Sequence, residues 1–391
     1  MLFSKLAIWL ALIGKAIARF CQNQTIQLRV TARNGVFDNL ITPSTDLEAI
    51  NFALAASKQG SNGTAQALTG YYTITGTYNL STQYCTPDDR ANAPNSTEPP
   101  ILQILTHGIG FDKTYWDLDY NDYNYSYVKY SLDHGYHTLS YDRLGIGASS
   151  HGDPRNEIQT SLEVAALAQL TQLVRNGSFP GMSTRPRHVV HVGHSFGSVQ
   201  TYELTAMYPT LSDAIVLTGF STNISFFDLF LAGGNWHQAY LATQGQQQQQ
   251  QPQPGEASGS AYPPGYLATG NAAADQYLFC FAPQFVPGLL AYVESVKQPV
   301  SIGELLTIGA SLPRVNSFQG PALVISGSND VPFCGGDCSN VLSSARDALP
   351  QASPFMPHVE PVTGHGINVH YTAVNVYERI LSFLETSGLA P

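Results

Sequence analysis

The stretch that decides the fold runs from Val189 to Gly197 and reads VVHVGHSFG. Its first four residues form a short, mostly apolar run typical of a buried strand, and the residues after Ser195 predict a helix. GHSFG therefore fits the G-x-S-x-G pattern, in which a serine lies on a sharp turn between a strand and a helix. The two glycines are needed because side chains there would clash. Ser195 is the candidate nucleophile, and the helix N-terminus beneath it favours negative charge.

A serine hydroxyl is a poor nucleophile at neutral pH and needs a base beside it. His365 is the candidate base because it lies between two glycines directly after the last predicted strand, and His370 is its rival. A carboxylate must fix the tautomer of the histidine and stabilise its charged form. Asp330 follows a predicted strand in the segment GSND, and Asp337 is the alternative acid.

A tetrahedral intermediate also needs backbone N–H groups that stabilise its oxyanion. Phe196, the residue after the nucleophile, is one candidate donor. The second is expected in the loop HGIG at residues 107–110, which follows the first predicted parallel strand. Ile109 is the preferred donor in that loop and Gly108 the alternative, while a simple turn without a catalytic role is the competing interpretation.

Short apolar runs alternate with helical spacings over most of the chain. The predicted strands of this part cover residues 100–106, 137–141, 189–192, 214–218, 321–326 and 358–362. The predicted helices cover residues 115–133, 159–175, 196–207, 339–349 and 374–384. Two half-buried strands at 25–34 and 68–80, with a short helix at 45–56 between them, precede this region. The alternation predicts an α/β fold with a parallel sheet and crossover helices.

Residues 223–317 interrupt the alternation. They contain a Gln/Pro-rich tract at 244–260 that we expect to be disordered. Long insertions of this kind are commonly active-site lids, so the region predicts a lid or cap, with extra helices of no such role as the alternative. The core of the fold is accordingly assigned to residues 19–222 and 318–391.

The first residues predict export. A lysine, an apolar run at 6–14 and the small-x-small site AIA at 16–18 indicate a signal peptide over residues 1–18. A membrane anchor is the alternative, although a span needs about 20 apolar residues. Charged residues make up only 12% of the chain, so a surface solubilised by glycans is expected. The N-x-[ST] glycosylation candidates are Asn23, Asn62, Asn79, Asn95, Asn124, Asn176 and Asn223.

Charge and cysteine content limit the partners. The net charge of −10 and the lack of a basic block argue against nucleic acid and against an anionic membrane surface. In an oxidising compartment Cys334 and Cys338 should pair within their loop, and Cys21 should pair with Cys85, which leaves Cys280. A metal site is the rival for the short pair, but no further ligands stand at suitable spacing.

Five motifs together resemble the α/β-hydrolase superfamily, in its lid-bearing single-domain form, and more narrowly secreted fungal esterases of that fold. They are HGxG at 107–110, DRLGIGxS at 142–149, the serine elbow at 193–197, GxxD at 327–330 and GHG at 364–366. The resemblance covers residues from about 100 to 390 and leaves out the N-terminal strand pair and the Gln-rich tract.

This resemblance implies an eight-stranded, mostly parallel sheet with helices on both faces. The chain order Ser195, Asp330, His365 is the one expected of this superfamily. The resemblance also implies that the protein uses no organic cofactor and no metal, and that Asp142 and Arg143 have a structural role.

The sequence thus predicts a secreted serine hydrolase that cleaves a carboxylic ester or lactone through an acyl-enzyme. Aromatic residues in the insertion and at 115–116 suit a small apolar or aromatic substrate. One alternative is a peptidase of the aminopeptidase or tripeptidyl-peptidase type, which needs acidic lid residues for a substrate ammonium. The candidates for that role are Asp228, Glu256, Asp275, Glu294 and Glu304. A metabolite cyclase or transferase, or a non-hydrolytic binder, is the third interpretation.

Overall fold

The structure is a computed structural model. The described residues are 19–58, 60, 63–87, 99–223, 225–240, 262–309, 312 and 315–391. The predicted signal peptide at 1–18 and the predicted disordered tract at 244–260 lie outside them.

One sheet of eight strands organises the chain. Its strands are β1 (Arg19–Val36), β2 (Gly70–Pro87), β3 (Ile101–Thr106), β4 (His137–Tyr141), β5 (His188–His194), β6 (Ala214–Thr218), β7 (Ala322–Gly327) and β8 (Phe355–Glu360). They lie in the order β1-β2-β4-β3-β5-β6-β7-β8. Strand β2 is antiparallel to both of its neighbours, and all other pairs are parallel. The predicted eight-stranded, mostly parallel sheet is confirmed.

The central strands are apolar on both sides because both faces of the sheet are covered. Leu105 and Val192 belong to the hydrophobic core on one face, whereas Leu102 and Val189 belong to the core on the other. Continuous apolar runs of this kind are typical of parallel strands buried beneath helices. The same runs were the sequence signal for a parallel sheet.

Strands β1 and β2 form a long antiparallel pair that extends beyond the predicted strands at 25–34 and 68–80. The side chains of Ile26, Leu28 and Val30 are buried and alternate with exposed ones, as in a sheet with one solvated face. Cys21 pairs with Cys85 across this ladder, and the two form a disulfide. The covalent bond ties the first described strand to the rest of the sheet.

Helices alternate with the strands of the sheet and also occur within the insertion. They are α1 (Asp46–Ala56), α2 (Gly63–Ala67), α3 (Tyr127–Asp133), α4 (Thr160–Arg175), α5 (Phe196–Met207), α6 (Phe227–Gly233), α7 (Ala272–Phe279), α8 (Pro287–Val296), α9 (Ile302–Thr307), α10 (Val331–Cys334), α11 (Ala345–Ala348) and α12 (Ala373–Thr386). Helix α1 begins where predicted, and the Thr45 side chain caps it by accepting a hydrogen bond from the Glu48 N–H.

The chain between β6 and β7 carries α6 to α9. It also contains a small antiparallel sheet made of His237–Gln238, Tyr266–Ala268 and Val300–Ser301. Phe279, at the end of α7, accepts a hydrogen bond from the Gly366 N–H at 2.7 Å. This part of the insertion therefore lies against the loop that follows β8.

The helix predicted over 115–133 is wrong for its first half. That part forms a 3-10 turn at Lys113–Trp116 and two short strands, and only Tyr127–Asp133 is helical. Positive φ angles at Asn121, Asp122 and Tyr123 break the helix between the two parts.

The helix predicted over 339–349 is also wrong in extent. A 3-10 turn at Leu342–Ser344 leads into the four-residue α11. The hydroxyl of Ser344 donates to the carbonyl of Val341 at 2.6 Å, a local bond of the kind that favours turns over continuous helix.

Most of the described glycosylation candidates lie on the surface. The exposed glycosylation candidates are Asn23, Asn79, Asn124 and Asn176, while Asn223 is half-buried. The remaining two, Asn62 and Asn95, lie outside the described residues.

In the described part of the chain, no helix is both long enough and apolar enough to span a membrane.

Candidate active site

Ser195 lies at the turn between β5 and α5. Its φ of 54° and ψ of −119° form a strained conformation that residues with a side chain rarely adopt. A Cβ at Gly193 would clash with the carbonyl of Gly197, and a Cβ at Gly197 would clash with the backbone of Thr106. The backbone N–H of Ser195 donates to the carbonyl of Thr218 on β6 at 2.8 Å, which holds the turn in place. The two glycines of the motif are thus required by close backbone packing.

His365 and Asp330 meet beside this turn. The Nδ1 of His365 lies 2.7 Å from the Oδ2 of Asp330, and both side chains are completely buried. Because an ionised carboxylate can only accept, Nδ1 carries the proton and the other ring nitrogen, Nε2, is left as a base. Nε2 is buried and has no hydrogen-bond partner among the described residues. The pair therefore presents an unoccupied basic nitrogen inside the site.

The rival residues lie elsewhere in hydrogen-bond networks of their own. His370 accepts from the N–H groups of Phe281 and Gly364 through Nε2, while its Nδ1 donates to the Gly366 carbonyl at 2.9 Å. Both nitrogens are thus occupied, and burial lowers the pKa of His370 to about 4. Asp337 is exposed and accepts from the Ser339 N–H. The structure brings Asp330 and His365 together, and leaves His370 and Asp337 out of the pair.

Aromatic rings enclose the histidine. Phe333 and Phe279 stack beside His365 with ring centroids 5.7 Å and 6.2 Å away. His194, the neighbour of the serine, has its ring centroid 5.0 Å from that of His365 and stacks on Tyr115 at 4.4 Å. Burial lowers the pKa of His194 well below its usual range, so this ring is neutral. Ser195 itself is only 8% exposed, so the site is closed to bulk solvent.

The loop after β3 lies directly against the serine. A Cβ at Gly108 would be 2.8 Å from the Cβ of Ser195 and 3.1 Å from the His194 carbonyl, so only glycine allows this approach. The Gly108 carbonyl accepts from His107 Nδ1 at 2.9 Å and from Arg143 Nη2 at 3.5 Å. Because a trans peptide is planar, these bonds also fix the direction of the Ile109 N–H, which points the opposite way. Ile109 and Phe196, the candidate oxyanion donors, are both buried at this end of the sheet.

A buried ion network supports this loop, and the sequence alone did not reveal it. Arg143 binds Glu163 of α4 at 2.9 Å and also Glu304 of α9, and all three side chains are completely buried. Its guanidinium lies 4.7 Å from the Phe196 ring centroid. Charges buried this deeply must be paired to be stable, so the network joins the insertion to the core beneath the serine. The one local signal is S-x-x-E at 301–304, which forms the capping box of α9.

Asp142 is likewise engaged in the scaffold. It binds the Lys113 ammonium at 2.8 Å and accepts from the Lys113 and Ala148 N–H groups. The structural role that the resemblance implies for Asp142 and Arg143 fits these contacts.

In the described chain, no cluster of three or more His, Cys, Asp or Glu residues is arranged to hold a metal ion. Cys334 and Cys338 form a disulfide, and burial raises the pKa of the Cys280 thiol to about 12.

A family model and several solved structures resemble this chain. The model of a family described as the alpha/beta hydrolase family matches residues 103–376. No curated protein sequence matches the chain. Among solved structures, an esterase from Thermogutta terrifontis is 14% identical, covering 80% of this chain and 95% of that chain with a TM-score of 0.50. An alpha/beta hydrolase from Penicillium is 18% identical, covering 79% of this chain and 94% of that chain with a TM-score of 0.46.

The fold and the family match define a hydrolase of the α/β class. The chain belongs to the alpha/beta hydrolase family. The N-terminal strand pair and helices α1 and α2 precede the matched residues.

Proposed function

We propose that this chain is a serine hydrolase that cleaves a carboxylic ester or lactone, with Ser195 as nucleophile, His365 as base and Asp330 as its orienting acid. The observation that carries the proposal is the 2.7 Å bond between His365 Nδ1 and Asp330, which leaves Nε2 free beside the strained serine turn. Both side chains are buried, so solvent does not compete for the pair.

The reaction follows from these positions. The Oγ of Ser195 attacks the carbonyl carbon while Nε2 of His365 takes the hydroxyl proton, and Asp330 stabilises the imidazolium that forms. The N–H groups of Ile109 and Phe196 donate to the oxyanion. His365 then passes its proton to the leaving alcohol, the ester bond breaks, and an acyl-enzyme remains. Water, deprotonated by Nε2 of His365, then attacks the acyl carbonyl carbon. The bond from that carbon to Ser195 Oγ breaks as His365 returns the proton to Oγ, and the acid is released.

The acidic residues of the insertion favour an ester over a peptide. Recognition of a substrate ammonium needs unpaired carboxylates near the nucleophile. Glu304 is bound to Arg143, and Glu294 accepts from the Lys297 ammonium at 2.7 Å. Asp275, whose pKa burial raises to about 7, accepts from the Thr269 hydroxyl at 2.5 Å. Each of these three side chains already has a protein partner, and Asp228 is not free either. Glu256 lies outside the described residues. The four described candidates therefore argue against the peptidase alternative.

We also propose that the enzyme is secreted. Its disulfides, Cys21–Cys85 and Cys334–Cys338, are of a kind that persists in oxidising compartments. Four of the predicted glycosylation asparagines are exposed. Both features agree with the predicted signal peptide at 1–18.

The test is a substrate panel on the purified secreted protein. We expect turnover of p-nitrophenyl esters and small lactones, and at least a hundredfold lower kcat/KM for aminoacyl and tripeptidyl p-nitroanilides. Preference for the amides would contradict the ester assignment and favour the peptidase. A protein that turns over none of these substrates would contradict the hydrolase assignment.

A further inference from the structure

A cavity of about 440 Å³ lies beside the candidate active site. It is bordered by α5, by α6 and α9 of the insertion, by α10, and by the N-terminal helices α1 and α2. The side chains that define it include Leu68, Val199, Leu231, Leu305, Leu306 and Phe333. Ligand pockets in proteins commonly have volumes of about 300–1,000 Å³, so this space can hold a small organic group.

The cavity adjoins the candidate triad on two sides. Val199 lies on α5 one helical turn after Ser195, which corresponds to a rise of about 6 Å. Phe333 lines the cavity and also stacks on His365 with ring centroids 5.7 Å apart. The Phe333 N–H donates to Oδ1 of Asp330 at 2.9 Å, so the lining residue and the acid are rigidly connected. A single aromatic ring therefore separates the cavity from the base.

The chemistry of the lining selects an apolar group. Most of the lining side chains are aliphatic or aromatic, and Asp228 is the one ionisable residue among them. Burial of methylene groups against such walls is favourable, with about a fourfold gain in affinity for each methylene. An anionic group would lose its water there and would meet the Asp228 carboxylate, which repels it.

The N-terminal region also contributes to the cavity wall. Ala56, Thr64 and Leu68, which form part of this wall, precede the residues that match the family model. The cavity therefore lies between the N-terminal region, helix α5, helix α10 and the insertion.

On these grounds we infer that the cavity binds the straight aliphatic acyl chain of the ester substrate, which passes beside Phe333 from the carbonyl at Ser195 into the cavity. The inference rests on the proposed ester hydrolysis at Ser195. An ester carbonyl held at Ser195 needs an apolar space within a few ångströms for its chain, and this cavity lies one helical turn away. The enzyme should therefore prefer medium-chain acyl groups to acetyl groups.

The experiment measures kcat/KM for p-nitrophenyl octanoate and p-nitrophenyl acetate, which share the same leaving group. Val199→Trp and Leu231→Trp place an indole in the cavity from two different helices, α5 and α6. We expect the octanoate-to-acetate ratio to fall at least tenfold in both variants. Because both rates are measured on one preparation, the ratio does not depend on how much of it is folded.

Met207→Trp is the matched control, since Met207 lies on the same helix as Val199 but is 54% exposed. Its ratio should equal that of the wild type. If both cavity variants keep the wild-type ratio while all proteins hydrolyse the acetate, the acyl-site inference is overturned and the proposed function stands. A wild-type protein that hydrolyses neither ester overturns both.

Discussion

Asp330 and His365, which are 35 residues apart in the chain, are joined by a 2.7 Å hydrogen bond in a completely buried pocket. Asp330 follows β7 and His365 follows β8, and these two strands are parallel neighbours. The carboxyl ends of both strands therefore lie at the same edge of the sheet as Ser195, which follows β5. The topology brings the three residues to one edge, as is usual for ligand sites in α/β sheets.

Replacement of this acid should remove activity while the fold survives. In Asp330→Asn the amide can donate to Nδ1, which favours the wrong tautomer of His365, and kcat for ester hydrolysis should fall by about 10³–10⁴. Asp337→Asn is the control, because that carboxylate is exposed and accepts from the backbone and the side chain of Ser339 rather than from a histidine. Steady-state kinetics on both variants decides the assignment. Loss of activity in Asp337→Asn with retention in Asp330→Asn would reverse it.

The close approach of the oxyanion loop gives a second prediction. In Gly108→Ala the new methyl group would lie 2.8 Å from the Ser195 Cβ, so the loop or the serine turn must shift. We expect kcat to fall by about 10²–10³, the usual cost of a displaced oxyanion donor. Gly70→Ala is the control, because no atom lies within 4 Å of a Cβ built there. Equal kcat values for the two variants would show that the loop does not position a donor.

Buried histidines predict sensitivity to acid. Burial lowers the pKa of His370 to about 4 and that of His191 to about 3, against an ordinary value of about 6.5. The unfolded chain therefore binds more protons below pH 6.5, so stability is full above that pH and falls as the pH drops toward these values. The melting temperature should decrease steadily between pH 6.5 and pH 4.

A pair of variants isolates this effect. His191 is buried and bonds to Thr171 and Ser212 through its two nitrogens, so His191→Gln removes a group that must be charged on unfolding. We expect a smaller decrease in melting temperature from pH 6.5 to pH 4 in this variant, even if its stability at pH 7 is lower. His134→Gln, at an exposed position, should keep the wild-type decrease. A wild-type decrease in His191→Gln would contradict the account.

Glycosylation is predicted at the exposed asparagines. After enzymatic removal of N-linked glycans, each occupied asparagine becomes an aspartate, and peptide mass spectrometry locates it. We expect this conversion at Asn23, Asn79, Asn124 and Asn176 in protein secreted from a eukaryotic host. Asn368, which is buried and outside any N-x-[ST] pattern, is the internal control. Absence of conversion at all four sites would contradict the glycoprotein prediction.

Local patterns predicted the parts of the site that depend on local geometry. The turn at Ser195 needs two glycines at fixed spacing, and these are visible in the sequence. Asp330 and His365 were found because each directly follows a strand and is flanked by small residues. Asp330 was preferred to Asp337 from the sequence because it lies at the strand end, and the coordinates add that Asp330 is the one bonded to His365.

Long-range contacts could not be predicted in the same way. Arg143, Glu163 and Glu304 are far apart in the chain, and nothing near any of them indicates the other two. No motif in the sequence indicates a role for Phe333, yet its ring stacks on His365 and lines the cavity. The helix predicted over 115–133 failed before Tyr127 for another reason. The positive φ angles at Asn121, Asp122 and Tyr123 end any helix there, and the residue types of this segment did not predict them.

Reaction with a fluorophosphonate tests the central claim most directly, because the reagent phosphonylates an activated serine. The wild-type protein should gain one adduct, found by peptide mass spectrometry on Ser195, and should lose its ester hydrolysis in step with labelling. Ser195→Ala, with an unchanged circular dichroism spectrum, should gain none and should hydrolyse no ester. Labelling of the Ser195→Ala variant at another serine, with wild-type ester turnover, would contradict the account.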